Sequence, residues 1–330
     1  MKNAQKYVAN TDQLYSVTRT RMEEGRGDGV VVYRVATGGC LQYEVLADNG
    51  LDLGSVTYRG HNITFFGKSG LVAPTGYLPI GEEFNHTFNG GLCYTCGLMN
   101  VGDPCEDGGE SHPLHGRYHF QAADRLSGSV EDETITVSGR VREGTLFGEN
   151  LEVYRQISSP VGSSEIILRD KIINNRDTPQ PFMLLYHCNF GYPFLSPALS
   201  VKPPKSVQVA PMDAFSKTVV DRRFQVIEPE SERPEEVYAY ELDREEKTAC
   251  IRLENSALNI GVEMHWNTDV LPLMMQWRSM CCGDYVMGIE PGTNYVYGRK
   301  RAREENTLAY IAPYSSVETE LRFSFFPLET

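Results

Sequence analysis

Apolar and polar residues alternate with a period of two along most of the 330-residue chain. This alternation is typical of β-strands that bury one face. It predicts strands at residues 30–35, 41–46, 134–141, 151–157, 165–173, 249–253, 259–265, 273–277, 308–311 and 319–326. Turn-forming residues separate them, as at residues 49–50, 89–91, 174–177 and 290–293.

The helical signal is weak by comparison. Only residues 210–224 and 242–247 have a composition that predicts a short helix. No repeat, low-complexity tract or linker divides the chain. Many strands joined by short turns predict an all-β fold, a large antiparallel β-sandwich with few short helices. We expect residues 1–330 to form a single domain.

One apolar run carries two polar side chains on the same face. Residues 182–193 read FMLLYHCNFGYP and have the length and composition of a buried strand. Since alternate residues of a strand share a face, His187 and Asn189 point the same way. An unpaired buried polar group costs about 1–3 kcal/mol. These side chains therefore either find partners in the core or serve chemistry in a cleft, and the run alone leaves both readings open.

The net charge of the chain limits the classes of molecule that we expect the protein to bind. A net charge of −13 and a pI near 5.1 argue against a nucleic-acid surface, which needs clustered Lys and Arg. They argue equally against an anionic membrane surface. A hydrophobic content of 41% supports a sizeable core. We therefore expect a protein that binds a small molecule, and whether it forms a homo-oligomer is left open.

The cysteine content and the sequence of residues 1–16 are evidence for the cellular compartment of the protein. Residues 1–16 lack the apolar core of a secretory signal, and the longest apolar runs are too short for a membrane span. Eight cysteines without such a signal predict reduced thiols. We therefore expect a cytoplasmic location.

Four histidines and three cysteines fall close together in the sequence: His86, Cys93, Cys96, Cys105, His112, His115 and His119. Zinc prefers such ligands. The CxxC lies in an apolar, strand-like segment at residues 91–98, where positions three apart face opposite sides. We expect separate buried thiols and histidines here, with a bound metal as the less favoured alternative.

Three further polar side chains lie at positions suited to a cleft. His115 and Arg117 are two apart in the segment PLHGR and share a face if that segment is extended. Glu290 ends an apolar strand before a Pro-Gly turn, where a carboxylate can meet a cleft without deep burial. Each residue also has a simpler interpretation. His115 would be a turn histidine that caps a backbone carbonyl, Arg117 would form a surface ion pair, and Glu290 would be a surface acid.

In their order and spacing, these segments resemble the galactose mutarotase (aldose 1-epimerase) superfamily, and most of all its uncharacterised DUF4432-like branch. The resemblance runs from about residue 50 to residue 326. The matching segments are GLDLG at 50–54, YRG at 58–60, NGGL at 89–92, CGL at 96–98, LHGR at 114–117, YHCNFG at 186–191 and GIEPGT at 288–293.

The resemblance implies a β-sandwich that binds a sugar across one concave face. It implies that His187 is the general acid and Glu290 the general base of an aldose 1-epimerase, which opens the sugar ring and interconverts the anomers. Such a reaction requires no metal, nucleotide or redox cofactor. The other polar positions would hold the hydroxyls of a free sugar or the carboxylate of a sugar acid: Arg59, His115, Arg117 and Asn189.

The chain departs from the family pattern at Arg117 and at residues 188–190, so the sugar is left open. Arg59, Arg117 and the basic run at 299–303 would suit an anionic sugar, whereas a solvated loop paired with acids is the favoured reading of that run. Two other functions remain open: a non-catalytic carbohydrate-binding or regulatory protein on the same fold, and a different sugar isomerase or lyase that uses a metal. A sugar ring could stack on one of several aromatic residues, namely Tyr186, Phe190, Tyr192 and Trp277.

Overall fold

The computed structural model describes residues 6–328. In the first part of the chain the strands are β1 Ser16–Arg21, β2 Val31–Ala36, β3 Leu41–Leu46, β4 Asp52–Tyr58, β5 His61–Asn62, β6 Tyr94–Leu98, β7 Cys105–Asp107, β8 Glu110–His112, β9 Asp124–Glu131, β10 Thr134–Gly144 and β11 Asn150–Pro160. They continue with β12 Glu165–Asn174, β13 Gln180–Gly191, β14 Leu199–Lys202, β15 Ser206–Pro211, β16 Glu236–Leu242, β17 Thr248–Asn255, β18 Ile260–Asn267, β19 Leu273–Cys281, β20 Asp284–Gly292, β21 Ala309–Ile311 and β22 Ser316–Pro327.

The helices in the described part of the chain are short. The α-helices are α1 Phe84–Thr87, α2 Ala214–Val219 and α3 Arg299–Glu304. Single turns of 3-10 helix lie at Thr11–Gln13, Gly25–Gly27, Pro74–Gly76, Tyr118–Phe120 and Val220–Arg222. Between residues 6 and 328, no helix has the length and apolar character needed to cross a lipid bilayer.

Three large sheets form the framework, and the strand pairs within them are antiparallel. One has the order β14-β17-β18-β22-β12-β11-β10-β9. The second has the order β15-β16-β19-β20-β13-β21, with β6 paired to β13. The third is the five-stranded meander β1 to β5, and β7 pairs with β8 in a separate hairpin. The predicted fold class, a large antiparallel β-sandwich with few short helices, is confirmed.

The main core lies between the sheets. One cluster of buried side chains joins all three, from Val35 in β2 through Leu168 in β12 to Tyr186 in β13. Strand β10 shows the cause, because its buried and more exposed residues alternate along most of its length. The sequence pattern that predicted the strands is therefore the pattern that builds the core.

Strand β13 differs because it is buried on both faces. Tyr186 and Cys188 pack in the main core, whereas Met183 and Leu185 belong to a second apolar cluster on the other side. His187 has the same parity as Met183 and Leu185, so its side chain points away from the main core. The central strand thus places two polar side chains, His187 and Asn189, next to apolar neighbours on the face opposite the main core.

Some local predictions were wrong. Residues 243–247 form a turn between β16 and β17 instead of a helix, because the Asp243 side chain accepts the Glu245 N–H (3.0 Å) and closes the turn. Residues 210–224 do contain α2. The sequence pattern missed α3, which is held by burial of Arg299 and Ala302. The single-domain prediction for 1–330 stays a prediction, and residues 1–5 and 329–330 lie outside the described residues.

Candidate active site

His187 and Glu290 face each other on neighbouring strands. In the register of β13 and β20, Cys188 pairs with Ile289, which places His187 opposite Glu290. Nε2 of His187 lies 3.2 Å from Oε1 of Glu290. The approach lacks the alignment of a hydrogen bond, so Oε1 of Glu290 has no hydrogen-bond partner among residues 6–328, and Nδ1 on the other side of the His187 ring has none either. Both groups therefore retain capacity to bond a substrate.

Burial disfavours the charged form of both side chains. The His187 and Glu290 residues are only 5% and 2% exposed. Burial, helped by the nearby His115, lowers the pKa of His187 to about 3. Burial, helped by the carboxylate of Glu235, raises the pKa of Glu290 well above its usual value. Of the two ways to place one titratable proton on the pair, burial therefore favours the neutral one, with the proton on Glu290, over the charged one.

His115 reaches the same pocket from a tight turn. Its φ of 59° and the φ of 78° at Gly116 reverse the chain. Nδ1 of His115 accepts the Gly102 N–H at 3.3 Å, and the His115 N–H donates to the Gly102 carbonyl at 3.0 Å. Burial lowers the pKa of His115 to about 4, so the ring is neutral. With Nδ1 as an acceptor, the ring proton is on Nε2, which is left as a donor.

Aromatic rings enclose the pair. The rings of Trp277 and Phe88 each lie 5.3 Å from the ring of His187, and they lie 6.0 Å from each other. Nε1 of Trp277 donates to Oε2 of Glu235 at 2.7 Å, which fixes the indole. Of the aromatic residues predicted to stack on a sugar, Trp277 lines the pocket, whereas Tyr186 packs in the main core.

The pocket has a volume of about 670 Å³ and an acidic lining. It is lined by five Asp or Glu side chains and two Lys or Arg side chains: Glu82, Asp103, Glu235, Asp284, Glu290, Lys68 and Arg233. Lys68 pairs with Asp284 at 2.6 Å, and Arg233 pairs with Glu230 and Glu236 at 2.7 and 3.0 Å. Both cations are therefore already matched by carboxylates.

The structure does not bring three of the predicted binding residues into this pocket. The buried amide of Asn189 donates to the carbonyls of Gly91 (3.1 Å) and His187 (2.8 Å). Arg117 bonds the Ser111 carbonyl at 2.9 Å and lines another cavity. It diverges from His115 because the turn at residues 115–116 is not extended. Arg59 is exposed beside the β4–β5 turn and does not line the pocket.

The basic run at 299–303 lies elsewhere too, and its arginines pair with acids. Arg299 and Arg303 each lie 2.8 Å from Oδ2 of Asp107. Arg301 lies 2.7 Å from Oε1 of Glu305. The pairing with acids agrees with the favoured reading, but the expectation of a solvated loop was wrong, because the run forms α3 and Arg299 is buried.

The seven histidines and cysteines between residues 86 and 119 take different environments. His119 bonds Asp52 at 2.7 Å and stacks on Tyr94, with ring centroids 3.6 Å apart. His115 enters the pocket, and Cys93 and Cys96 are buried in separate apolar clusters. Opposite faces of one strand-like segment account for the separation of these two thiols.

Several pocket residues have no signal in the sequence. Lys68, Phe88, Arg233 and Glu235 lie outside the strands, so neither periodicity nor a motif marks them. Glu235 directly precedes β16, and its role is visible only through its bond to Trp277. These positions come together through tertiary folding alone.

The same architecture occurs in solved structures. A candidate aldose 1-epimerase from Klebsiella pneumoniae has a TM-score of 0.87 and 23% identity, over 98% of this chain and 89% of that one. A galactose mutarotase-like protein from Clostridium acetobutylicum has a TM-score of 0.70 and 11% identity, over 96% and 100%. The galactose 1-epimerase of Lactobacillus acidophilus has a TM-score of 0.65 and 13% identity, over 96% and 100%.

These likenesses show the fold, which is that of galactose mutarotase-like proteins. No curated protein matches the chain. The model of one family, described as a domain of unknown function, matches residues 27–325. The chain therefore belongs to the DUF4432 family.

Proposed function

We propose that the protein is an aldose 1-epimerase-like enzyme that interconverts the anomers of a free sugar. The observation that carries the proposal is the His187–Glu290 pair, 3.2 Å apart at the base of the aromatic pocket, with Nδ1 and Oε1 unpartnered in the described chain. Buried polar atoms without partners are costly, and a bound sugar would supply the missing hydrogen bonds.

The reaction needs two proton transfers. Glu290, as the base, takes the proton of the C1 hydroxyl, while His187, as the acid, protonates the ring oxygen. The bond between C1 and the ring oxygen breaks, the C1–C2 bond rotates, and closure returns both protons. Each positioned group contributes roughly 10²–10⁴-fold to the rate.

The proton shared by the pair is sufficient for this cycle. The charged pair that begins ring opening and the neutral pair favoured by burial contain the same number of protons. Binding of sugar hydroxyls would stabilise the charged form, because hydrogen bonds to an ionised group favour it. The neutral pair is also the state reached after ring opening, so the pocket would stabilise the open-chain aldehyde.

The charge of the pocket favours a neutral aldose over a sugar acid. Lys68 and Arg233 already pair with carboxylates, and Glu82, Asp103 and Glu235 add negative charge at the exposed rim. Carboxylate oxygens accept hydrogen bonds from sugar hydroxyls, and His115 would donate from Nε2. The arginines that suggested an anionic sugar, Arg59 and Arg117, do not line this pocket.

Exchange NMR of sugar anomers tests the proposal. We expect Glu290→Gln and His187→Ala each to abolish enzymatic exchange on a panel of neutral aldoses. The matched control is Glu143→Gln, which replaces a buried glutamate that lines a different cavity and should retain exchange. Wild-type exchange rates in both site variants would remove these residues from the mechanism.

A sugar-binding protein without catalysis is the second candidate. Burial of the His187–Glu290 pair favours it, because burial disfavours the charged forms, and a neutral carboxyl and a neutral imidazole can hold hydroxyls without transferring protons. Calorimetric sugar binding by a wild-type protein that does not accelerate exchange would support this candidate over the enzyme.

A further inference from the structure

Three potential metal ligands meet on the eight-stranded sheet, away from the sugar pocket. Cys250 in β17 pairs in register with His265 in β18, and Glu263 lies two residues before His265. Ile251, which follows Cys250, and Met264, which lies between Glu263 and His265, are buried in the main core. Cys250, Glu263 and His265 therefore share the outer face of the sheet, where all three are partly exposed.

The distances between their donor atoms suit a tetrahedral ion. Sγ of Cys250 lies 3.7 Å from Nε2 of His265, and Nε2 lies 3.4 Å from Oε2 of Glu263. All three atoms lie within 4.8 Å of one another. Zinc bonds of usual length at tetrahedral angles separate ligand atoms by roughly 3.3–3.7 Å. The side chains thus approach the spacing of a zinc site without rearrangement of the strands.

Hydrogen bonding alone satisfies these atoms poorly. Both contacts converge on the single nitrogen Nε2 of His265, and the 3.4 Å contact with Oε2 of Glu263 is long for a hydrogen bond. If Nε2 of His265 carries a proton, the thiol of Cys250 and the carboxylate of Glu263 must share it, which weakens both bonds. If Nε2 instead carries no proton and accepts a hydrogen bond from the thiol, it lies beside the lone pairs of the Glu263 carboxylate with no proton between them. A cation at the centre would bond all three.

The surrounding charges orient the carboxylate and balance the ion. Nη1 of Arg252 bonds Oε1 of Glu263 at 2.5 Å, which leaves Oε2 directed towards His265. Arg322, opposite His265 on β22, lies near the carboxylates of Glu165 and Glu320. A thiolate and a carboxylate together neutralise a divalent cation, and an outer hydrogen bond to a ligating carboxylate is usual in metal sites.

We propose that Cys250, Glu263 and His265 bind a divalent transition-metal ion, with zinc preferred for its affinity for sulfur and imidazole. Sγ, Oε2 and Nε2 are the protein ligands, and water completes the tetrahedron at the exposed side. Binding releases the thiol proton of Cys250 to solvent. The site is independent of the proposed sugar chemistry, because it lies on β17 and β18 whereas His187 and Glu290 lie on β13 and β20.

The test uses the full chain without an affinity tag, treated with chelator and dialysed. Titration with Zn²⁺ alone by calorimetry should give one site per chain. Titration with Co²⁺ alone should give the thiolate charge-transfer band and the visible spectrum of a four-coordinate ion. Cys250→Ser and His265→Gln should each weaken Zn²⁺ binding by more than about 100-fold, since loss of outer partners alone costs roughly 10–100-fold.

Cys282→Ser is the matched control, because Cys282 is an exposed thiol whose Sγ donates a hydrogen bond to the Pro229 carbonyl. It should retain the ion and the cobalt–thiolate band. Circular dichroism must show that all variants are folded, and Cys250→Ser should keep wild-type anomer exchange. Full Zn²⁺ affinity in folded Cys250→Ser, or the loss of binding in Cys282→Ser, would overturn the assignment.

Discussion

A β-carbon at Gly288 would lie 2.3 Å from Oε1 of Glu290. The two residues are alternate positions of β20, so the Glu290 carboxylate leans along the strand over the bare backbone of Gly288. The glycine at this position therefore makes room for the carboxylate at its distance of 3.2 Å from His187.

Gly288→Ala should therefore impair exchange without removing either reacting group. The methyl group displaces the Glu290 carboxylate, and a misplacement of about 1 Å can cost roughly 10²-fold in rate. Anomer-exchange rates measure the effect. Gly144→Ala in β10 is the control, because its β-carbon would lie at an ordinary 3.4 Å from the Glu149 carbonyl oxygen. Unchanged exchange in Gly288→Ala would show that the carboxylate position is not critical.

The pH profile of kcat/KM should lack the usual histidine limb near 6.5. The pKa of His187 is lowered to about 3, so a second proton joins the pair only in strong acid. The pKa of Glu290 is raised, so the last proton leaves well above the usual range of a glutamate. Activity should be flat from about pH 4 up to the raised pKa of Glu290.

Exchange rates corrected for the uncatalysed reaction at each pH test this profile. Activity should fall with a midpoint near 3 on the acid side and at the raised pKa of Glu290 on the alkaline side. An acid limb centred near 6.5 would instead indicate a solvated histidine as the essential group.

Trp277 should contribute to sugar binding through its ring. Trp277→Ala removes the aromatic face 5.3 Å from His187 and should lower kcat/KM by about tenfold, as expected for loss of an aromatic contact. Trp277→Phe keeps a ring and should retain most of the activity. Tyr192→Ala, at a residue 72% exposed, is the control and should behave as wild type. Equal activity in Trp277→Ala and wild type would argue against stacking.

Neutral sugars should be better substrates than their uronates. The rim carboxylates of Glu82, Asp103 and Glu235 would repel a substrate carboxylate, so a uronate should have a kcat/KM at least about tenfold below that of the matching hexose. Competition experiments by NMR compare the two directly. Arg117→Gln should leave both values unchanged, and a selective loss with the uronate would restore the anionic-sugar hypothesis.

The architecture could be predicted from the sequence because strand periodicity is local. The alternation in β10 and the apolar run of β13 identify these strands before any contact is known. The pairing of His187 with Glu290 was not local, since the residues are far apart in sequence. Only the order of the sequence motifs, which resembles that of mutarotases, suggested that the two residues lie close together.

The remaining site residues depend on conformations that no periodicity predicts. Arg117 was expected beside His115, but the left-handed turn at residues 115–116 sends it to another cavity. Asn189 shares the parity of His187, yet its amide is bound by the Gly91 carbonyl. Phe88 and Glu235 come from connecting segments, where tertiary packing decides the position of each side chain.

Some residues of the pocket lie on strands and others on connecting segments, and this difference affects how the ligand selectivity of the pocket can change. His187, Glu290 and Trp277 are borne by three adjacent strands of one sheet, where a shift in one strand would disturb the core behind it. The segments at 65–69, 82–88 and 233–235 carry the rim and lie outside that framework. Exchange of these segments between family members is therefore the route by which a new sugar could be accommodated while the reacting pair is kept.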